Sequence, residues 1–262
     1  METEKFLTAI ALKYDGDWEK ILDALIRRDY GDLVKYYKRV DQLKCKYVTI
    51  LSDQYPARLR QYGHRPPFVL FYYGDLSLIS DIDKNISVVG SREFSEYGEM
   101  MTRKIVKDLC DEYVVVSGLA MGIDAIAHET ALDFGGKTIA VLGNGIDYCY
   151  PSVNKALYER IKNEGLVVSE YPNSVFPNRE TFPLRNRIIA MLSKGLLVTE
   201  AHARSGTLIS VNFALQMNKD VLCVPYPAGQ ESQCNRLISE GAYLVESGND
   251  VKDVLRGTKG IW

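Results

Sequence analysis

Residues 86–98 read Ile-Ser-Val-Val-Gly-Ser-Arg-Glu-Phe-Ser-Glu-Tyr-Gly. A run rich in β-branched residues leads into a glycine turn and then into a helix-like pattern, which predicts a strand, a tight turn and a helix. The unpaired amides of a first helical turn favour an anion, and Arg92 adds a guanidinium group that suits phosphate. The alternative is an ordinary strand-to-helix connection with Arg92 as a surface charge.

The same pattern recurs along the chain and predicts a parallel sheet. Strand-like runs alternate with segments long enough for crossover helices, and their continuous hydrophobicity indicates strands buried on both faces. We therefore expect a doubly wound α/β fold, whose ligands bind beyond the carboxyl ends of the strands. The predicted strands are residues 86–89, 113–117, 138–142, 166–169, 195–199 and 221–224.

Two smaller units precede this alternation. Residues 1–45 carry apolar positions at helical spacings, interrupted near Asp15 and Gly31, which predicts a small helical annex. Residues 46–85 contain two strand candidates and Pro66-Pro67, and predict an adaptor that extends the main unit, most plausibly at an edge of its sheet. The main domain is then predicted to span residues 86–262.

Small residues follow four of the predicted strands. Because the carboxyl ends of parallel strands meet at one edge, these turns predict one shared surface where backbone amides approach phosphates or nucleobases. The turns are Gly90–Arg92, Ser117–Asp124, Gly143–Asp147 and Glu200–Thr207.

The stretch Phe182–Ala190 places Arg185, Asn186 and Arg187 in what the pattern predicts to be the first turn of a helix. Arginines there oppose the helix dipole, so a salt link or an external anion is expected to compensate them. Both readings stay open: an internal ion pair, for instance with Glu200 or Glu170, or contact with a ligand.

Composition and motif spacing exclude several classes of function. The 262 residues carry a formal net charge of -2, so any polyanion site must be a local patch. A dinucleotide fingerprint and a Walker A loop are both missing, and the three histidines lack metal-ligand spacing. Among the carboxylates, only Glu200 is a candidate acid or base.

Five unpaired cysteines and the lack of a signal peptide or membrane span predict a soluble, cytoplasmic protein with reduced thiols. No metal or cofactor is expected.

Six motifs carry a close resemblance to the DNA-processing protein A family, also called DprA or Smf. They are GSREFSEYG, SGLAMGIDAIAH, GNGIDYCYP, FPLRNRIIAMLS, TEAHARSGTLIS and NRLISEGA, and they cover Ile86 to about Val245. The resemblance implies an extended Rossmann-like domain and a sterile-alpha-motif-like annex. It also implies binding and protection of incoming single-stranded DNA, dimerisation, and loading of the recombinase RecA during natural transformation, with single-stranded DNA-binding protein as a further partner. The family is not known for enzymatic activity.

The same resemblance assigns site residues in this chain. Many members carry a lysine directly after the tyrosine-proline of the third motif, but Ser152 stands here, so Lys155 is the substitute. Many members also carry a winged helix after the Rossmann unit; none is expected before the chain ends at Trp262, and the core function should not need it. The implied DNA-binding residues are Ser91, Arg92, Gly118, Gly143, Asn144, Gly145, Lys155, Arg185, Asn186, Arg187, Ser205 and Gly206.

Two further expectations concern contacts outside this set. Tyr148 or Phe176 is expected to stack on unpaired bases. Family members associate through the far side of the domain, which implies a self-interface within Cys234–Val245. Its expected residues are Asn235, Leu237, Ile238 and Leu244.

The competing hypothesis is an enzyme. The Glu200–Thr207 stretch is loosely similar to the glycine-threonine-glutamate motif of nucleotide phosphoribohydrolases, which hold a monophosphate at a helix start and cleave a glycosidic bond. The paired glycines that usually precede that turn are absent here. A third reading is a scaffold that binds partner proteins and no DNA.

Overall fold

The computed structural model describes residues 2–61, 63, 65–202, 205–230 and 232–258. Within these ranges the chain forms one mixed sheet of nine strands with helices packed on both faces. The strands are β1 Lys46–Thr49, β2 Val69–Gly74, β3 Asn85–Gly90, β4 Val114–Ser117, β5 Thr138–Leu142, β6 Leu166–Ser169, β7 Gly195–Glu200, β8 Asp220–Cys223 and β9 Tyr243–Leu244.

The strand order is β1-β2-β6-β5-β4-β3-β7-β8-β9. All pairings from β6 to β9 are parallel, whereas β2 pairs antiparallel with β6 and β1 antiparallel with β2. The predicted doubly wound, mostly parallel sheet is therefore confirmed. Strand β1 lies at the edge of the sheet and β2 beside it. Successive strands extend the sheet in one direction from β3 and in the other from β7, so the topological switch point lies between these two neighbours.

Helices alternate with the parallel strands as predicted, and three more precede β1. Most connections between a strand and the next parallel strand contain one helix of 10 to 14 residues. The helices are α1 Glu2–Lys13, α2 Trp18–Arg27, α3 Val34–Asp41, α4 Ala57–Gln61, α5 Glu96–Leu109, α6 Ile123–Asp133, α7 Lys155–Glu164, α8 Thr181–Met191, α9 Thr207–Gln216, α10 Gln233–Ser239 and α11 Gly248–Arg256.

The hydrophobic core lies on both faces of the sheet. Helices α8 and α9 cover one face, and α5, α6 and α11 cover the other. The N-terminal helices bury Leu7, Ile10 and Leu12 in one cluster with Phe71 of β2 and Val167 of β6. The helical annex thus shares a continuous apolar core with the sheet, because its short helices bury their apolar faces against β2 and its neighbours.

The five cysteines are free thiols, as predicted, and three of them are buried. In the described part of the chain, no helix combines the length and the apolar character that crossing a bilayer would require.

Candidate functional site

A cleft of about 700 Å³ lies at the switch point, beyond the carboxyl ends of β3 and β7. Its walls come from the turn after β3, the N-terminal half of α8, the segment before it, and the start of α9. This is the place where open α/β sheets bind ligands, because the loops after β3 and β7 diverge to opposite faces and leave a crevice. Three of the four predicted rim turns contribute to this cleft.

The turns after β3 and β4 pack directly against each other. The Ser91 carbonyl accepts a hydrogen bond from the Ile123 amide at 3.1 Å, and the Ser91 amide donates to the Glu200 carbonyl at 2.9 Å. Gly122 has φ +78°, and a Cβ at this position would meet the carbonyl oxygens of Ser91 and Arg92. Only glycine fits there, and the close packing holds the backbone of Ser91 and Arg92 in place.

Arg92 lines the cleft with an exposed side chain. Among the residues that the structure describes, no carboxylate forms an ion pair with it. It lies close enough to Arg185 to help lower the pKa of that guanidinium, although burial is the larger cause of the shift to about 10. Two neighbouring cations, one of them exposed and unpaired, create a site that favours an anion.

At the N-terminus of α5 an internal carboxylate lies where the first motif led us to expect an external anion, which corrects that interpretation. The buried Glu200 carboxylate accepts a hydrogen bond from the Ser95 amide at 3.0 Å. A Cβ on Gly98, in the same first turn, would overlap with Glu200 Oε2. An internal carboxylate therefore occupies this helix start, and the candidate acid or base Glu200 has a structural contact there.

The start of α9 faces the cleft instead. Ser205 Oγ accepts a hydrogen bond from the Thr207 amide at 3.1 Å, and a Cβ on Gly206 would meet open space. Asn186 of α8 also lines the cleft, and its side-chain amide donates to the Gly206 carbonyl at 3.4 Å. This positive helix end, together with Arg92, gives the cleft a second group that stabilises a phosphate. Ala203 and Arg204, in the same turn, lie outside the described residues.

Helix α8 begins at Thr181, so Arg185 and Arg187 lie in its second turn and the prediction of a first-turn position was wrong. Arg187 is buried and forms a two-pronged ion pair with Glu170, at 2.6 and 2.5 Å. Burial alone would lower the pKa of Arg187, but the Glu170 carboxylate outweighs it and raises that pKa. The internal ion pair that the sequence left open is therefore present for Arg187.

Arg185 is also buried, yet it reaches the wall of the cleft. Its guanidinium donates to the Gly118 carbonyl at 2.7 Å and to the Val141 carbonyl. A Cβ on Gly118 would meet this guanidinium, so the glycine makes room for it. Asp124 accepts from the Gly118 amide at 3.1 Å, and burial raises the pKa of its carboxyl group. Arg185 thus joins the ends of β4 and β5 and carries a positive charge to the cleft.

The Gly143–Gly145 turn does not line the cleft but fixes one of its walls. The Gly143 carbonyl accepts from the Thr181 hydroxyl at 2.5 Å, and the Gly145 amide donates to the Val175 carbonyl at 2.8 Å. The buried Asn144 side chain donates to the Tyr148 carbonyl at 2.7 Å. These contacts hold the segment of residues 172–182, which connects β6 to α8.

That segment carries a cation that the sequence motifs did not single out. Arg179 lies outside the FPLRNR motif, lines the cleft and is exposed, with no ion pair among the described residues. The aromatic residues of the cleft are Tyr150 and Phe182, whose ring centroids are 5.5 Å apart. Tyr148 and Phe176 instead pack on each other at 4.8 Å, and Phe176 lines a second cavity near the N-terminal helices.

Lys155 is exposed at the start of α7 and does not line the cleft. The residue before it, Asn154, donates to the carbonyls of Leu119 and Ala120 at 3.0 and 3.2 Å. Since Ala120 belongs to the cleft wall, Lys155 lies beside the rim.

The predicted self-interface residues lie on α10 and β9, next to the edge of the sheet. The Asn235 side chain makes two hydrogen bonds to the backbone of Tyr226, so its role in the structure is internal. Leu237 and Ile238 are half-buried against the core, and Leu244 is exposed on the edge strand.

In chemical terms, the cleft combines exposed guanidinium groups, a helix N-terminus, small hydroxyls and two aromatic rings. These groups bind phosphate and stack on planar rings. The described residues contain no cluster of three or more histidine, cysteine or acidic side chains arranged for a metal ion.

Comparison with known proteins assigns the chain to a family. Residues 46–256 match the family model described as DNA recombination-mediator protein A. The chain is 46% identical over 205 residues to the DNA processing protein DprA of Streptococcus pneumoniae, covering 78% of this chain and 72% of that protein. It is 32% identical over 239 residues to DprA of Bacillus subtilis, covering 86% of this chain and 78% of that protein.

Solved structures agree with this assignment. The structure of S. pneumoniae DprA superposes with a TM-score of 0.79 at 38% identity, covering 95% of this chain and 92% of that one. A Helicobacter pylori DprA structure, described for its single-stranded DNA binding mode, superposes with a TM-score of 0.72 at 27% identity, covering 82% and 98%. The chain described here belongs to the DNA recombination-mediator protein A family, also known as the DprA or Smf family.

Proposed function

We propose that this protein binds single-stranded DNA in the cleft at the switch point and acts as a recombination mediator. The observation that carries the proposal is the exposed guanidinium of Arg92, which has no ion pair with any described residue and lies next to Arg185 in the same open crevice as the start of α9. The single-stranded DNA binding of the H. pylori relative supports the same ligand.

Phosphate groups bind Arg92 and Arg179 beside the positive N-terminal end of α9, and bases enter toward Tyr150 and Phe182. Stacking on such rings contributes about 1–3 kcal/mol per base and tolerates any sequence. Duplex DNA binds less well, because its bases are paired and stacked and cannot enter the cleft.

A charge reversal at Arg92 tests this proposal. Arg92→Glu places a carboxylate where a phosphate binds, and we expect the Kd for a labelled 20-nucleotide thymidine oligomer to rise about 100-fold, or about 2.8 kcal/mol. Fluorescence anisotropy at several salt concentrations measures the change. The matched control is Arg27→Glu on α2, an exposed arginine outside the cleft, which should leave the Kd within about twofold.

If Arg92→Glu and the wild-type protein have equal Kd values and the same circular dichroism, DNA does not bind in the cleft. Tighter binding of a duplex than of the single strand would contradict the proposed ligand.

The proposal extends to the finer role of the protein. In the cytoplasm the protein protects incoming DNA during natural transformation and loads RecA onto that DNA. It cooperates with single-stranded DNA-binding protein. It acts as a dimer formed through Leu237, Ile238 and Leu244. Two clefts on one dimer increase avidity for a long strand. Ile238→Glu, analysed by light scattering, should give monomers that bind long DNA more weakly; dimers of unchanged stability would place the interface elsewhere.

The proposal includes no catalytic step. The contact of Glu200 with the start of α5 supports this. In the competing phosphoribohydrolase hypothesis Glu200 would be the acid or base, but its carboxylate already accepts hydrogen bonds from Ser95 inside the protein. Incubation with nucleoside monophosphates, followed by chromatography, should yield no free base. Enzyme-dependent release of base, abolished by Glu200→Gln, would favour the enzyme.

A further inference from the structure

A strongly basic surface lies on the N-terminal annex, far from the cleft. Residues 35–46 contain five basic residues and one acidic residue, in a chain whose formal net charge is -2. All five cations are exposed, and no ion pair involves any of them in the described ranges. We call this surface the α3 basic face; its residues are Lys35, Lys38, Arg39, Lys44 and Lys46.

Helical spacing places three of these charges side by side. Lys35, Lys38 and Arg39 are three and four positions apart on α3, so they lie on one side of the helix and span about 6 Å along its axis. Lys44 and Lys46 follow at the start of β1. The three cations on α3 therefore lie side by side, although like charges at this spacing repel each other and cost stability.

Two nearby carboxylates make contacts other than ion pairs with these five cations. Asp41, the acidic residue within the segment, forms an ion pair with Lys5 of α1 at 2.5 Å. Asp32, just before α3, accepts a hydrogen bond from the Val34 amide. Tyr36 lies beneath Lys35 and Arg39, with the two cations 4.8 and 5.6 Å from the ring centroid. Its ring orients the cations without neutralising them.

The opposite side of α3 accounts for the fold of the annex, so the basic face is not needed for packing. Val40 is buried, and Tyr36 and Tyr37 pack on the cluster that the annex shares with the sheet. The α3 basic face is thus an exposed surface that has no partner within the described chain and whose charge matches a polyanion.

This surface is separate from the cleft. Five strand spacings of about 4.8 Å separate β1, which Lys46 begins, from β3, a separation of about 24 Å across the sheet. Lys46 pairs with Tyr72 of β2, which pairs with Val168 near the carboxyl end of β6, so the two sites are separated across the strands and not along them. At about 3.4 Å per nucleotide, a stacked strand covers this separation in about seven nucleotides.

We infer that the α3 basic face is a second nucleic-acid site, which binds the phosphate backbone of a strand without reading its sequence. Lysine and arginine side chains with interleaved aromatic rings provide such binding. The inference goes beyond the proposed function and does not require the cleft to bind DNA.

The test is the salt dependence of binding for long and short oligonucleotides. Each phosphate contact to a single strand adds about 0.7 to the slope of log K against log salt. Lys35→Gln/Lys38→Gln should therefore lower the slope for a 40-nucleotide oligomer by about 1.4, and leave a 6-nucleotide oligomer unaffected. The matched control is Lys104→Gln/Lys107→Gln, two exposed lysines at the same spacing on α5, which should change neither slope.

An unchanged slope for the 40-nucleotide oligomer in a folded variant would overturn the inference. It would also be overturned if the lysine pair governs sedimentation with anionic lipid vesicles and leaves DNA binding unaltered. Repeating the measurement with Arg92→Glu separates the two proposals: loss of 6-nucleotide binding reports on the cleft, and the residual slope for 40 nucleotides reports on the α3 basic face.

Discussion

Two pairs of arginines near the switch point differ in what satisfies their charge. Arg92 and Arg179 are exposed in the cleft and have no ion pair in the described part of the chain. Arg187 is buried against Glu170, and Arg185 is buried against the carbonyls of Gly118 and Val141. The same residue type therefore has internal partners in one region and faces an open cleft in the other, and the partners decide whether its charge is available to a ligand.

The largest expected effect lies in the buried pair. Arg187→Ala leaves the Glu170 carboxylate without its partner inside the protein, and we expect a loss of about 3–5 kcal/mol in the free energy of unfolding. Urea denaturation followed by circular dichroism measures it. The double variant Arg187→Met/Glu170→Leu should recover most of the loss, because no buried charge remains unpaired. A loss below 1 kcal/mol for Arg187→Ala would show that the two regions do not differ as described.

A pH effect on stability comes next and belongs to the buried region. His128 is buried, its Nδ1 lies 2.6 Å from Thr138 Oγ1, and the Thr138 hydroxyl donates to the Val115 carbonyl. Burial, with the charge of Arg185 as a smaller cause, lowers the pKa of His128 from 6.5 to about 3. Between these values the unfolded chain binds one more proton than the folded protein does, so stability falls as the pH falls from 6.5 toward 3.

At pH 5 this contribution amounts to about 2 kcal/mol relative to pH 7.5. Urea titrations at pH 7.5, 6 and 5 should show it for the wild-type protein. His128→Gln, which cannot take up the proton, should have a flatter profile even if its stability at pH 7.5 is lower. If the free energy of unfolding changed with pH equally in the two proteins, His128 would not be the source of the pH dependence.

The smallest expected effect lies in the cleft. Arg179→Gln removes one exposed cation, and we expect the Kd for a 20-nucleotide single strand to rise about tenfold, or about 1.4 kcal/mol, with no change in unfolding. Anisotropy and urea denaturation on the same preparation separate the two quantities. Arg256→Gln, an exposed arginine on α11, is the control. A variant with lower stability and unchanged DNA binding would show that Arg179, like Arg185 and Arg187, supports the fold.

The sequence predicted the sheet well because each strand is a local signal. The six predicted parallel strands match β3 to β8 within one residue at each end, since continuous apolar runs bounded by glycine turns are recognisable within a few positions. The convergence of turns at one edge followed from the parallel topology. The short strand β9 was not predicted, because two residues carry no periodic signal.

The site was predicted less completely because long-range packing decides it. The sequence offered Glu170 and Glu200 as partners of these arginines, but only the folded chain shows that Arg187 meets Glu170. The helix start at Thr181 shifted both arginines inward by a turn. The glycines of the Gly143–Gly145 turn suggested close approach to a ligand, but the close neighbour is the segment of residues 172–182. Arg179 lies in that segment without any motif of its own, and only the folded chain brings it to the cleft.

Hydrogen–deuterium exchange with a saturating 20-nucleotide thymidine oligomer tests most directly whether the cleft is where DNA binds. We expect slower exchange at residues 90–94 and 205–210, which form the Arg92 turn and the start of α9. Unchanged exchange in both segments while the oligomer is bound would contradict it.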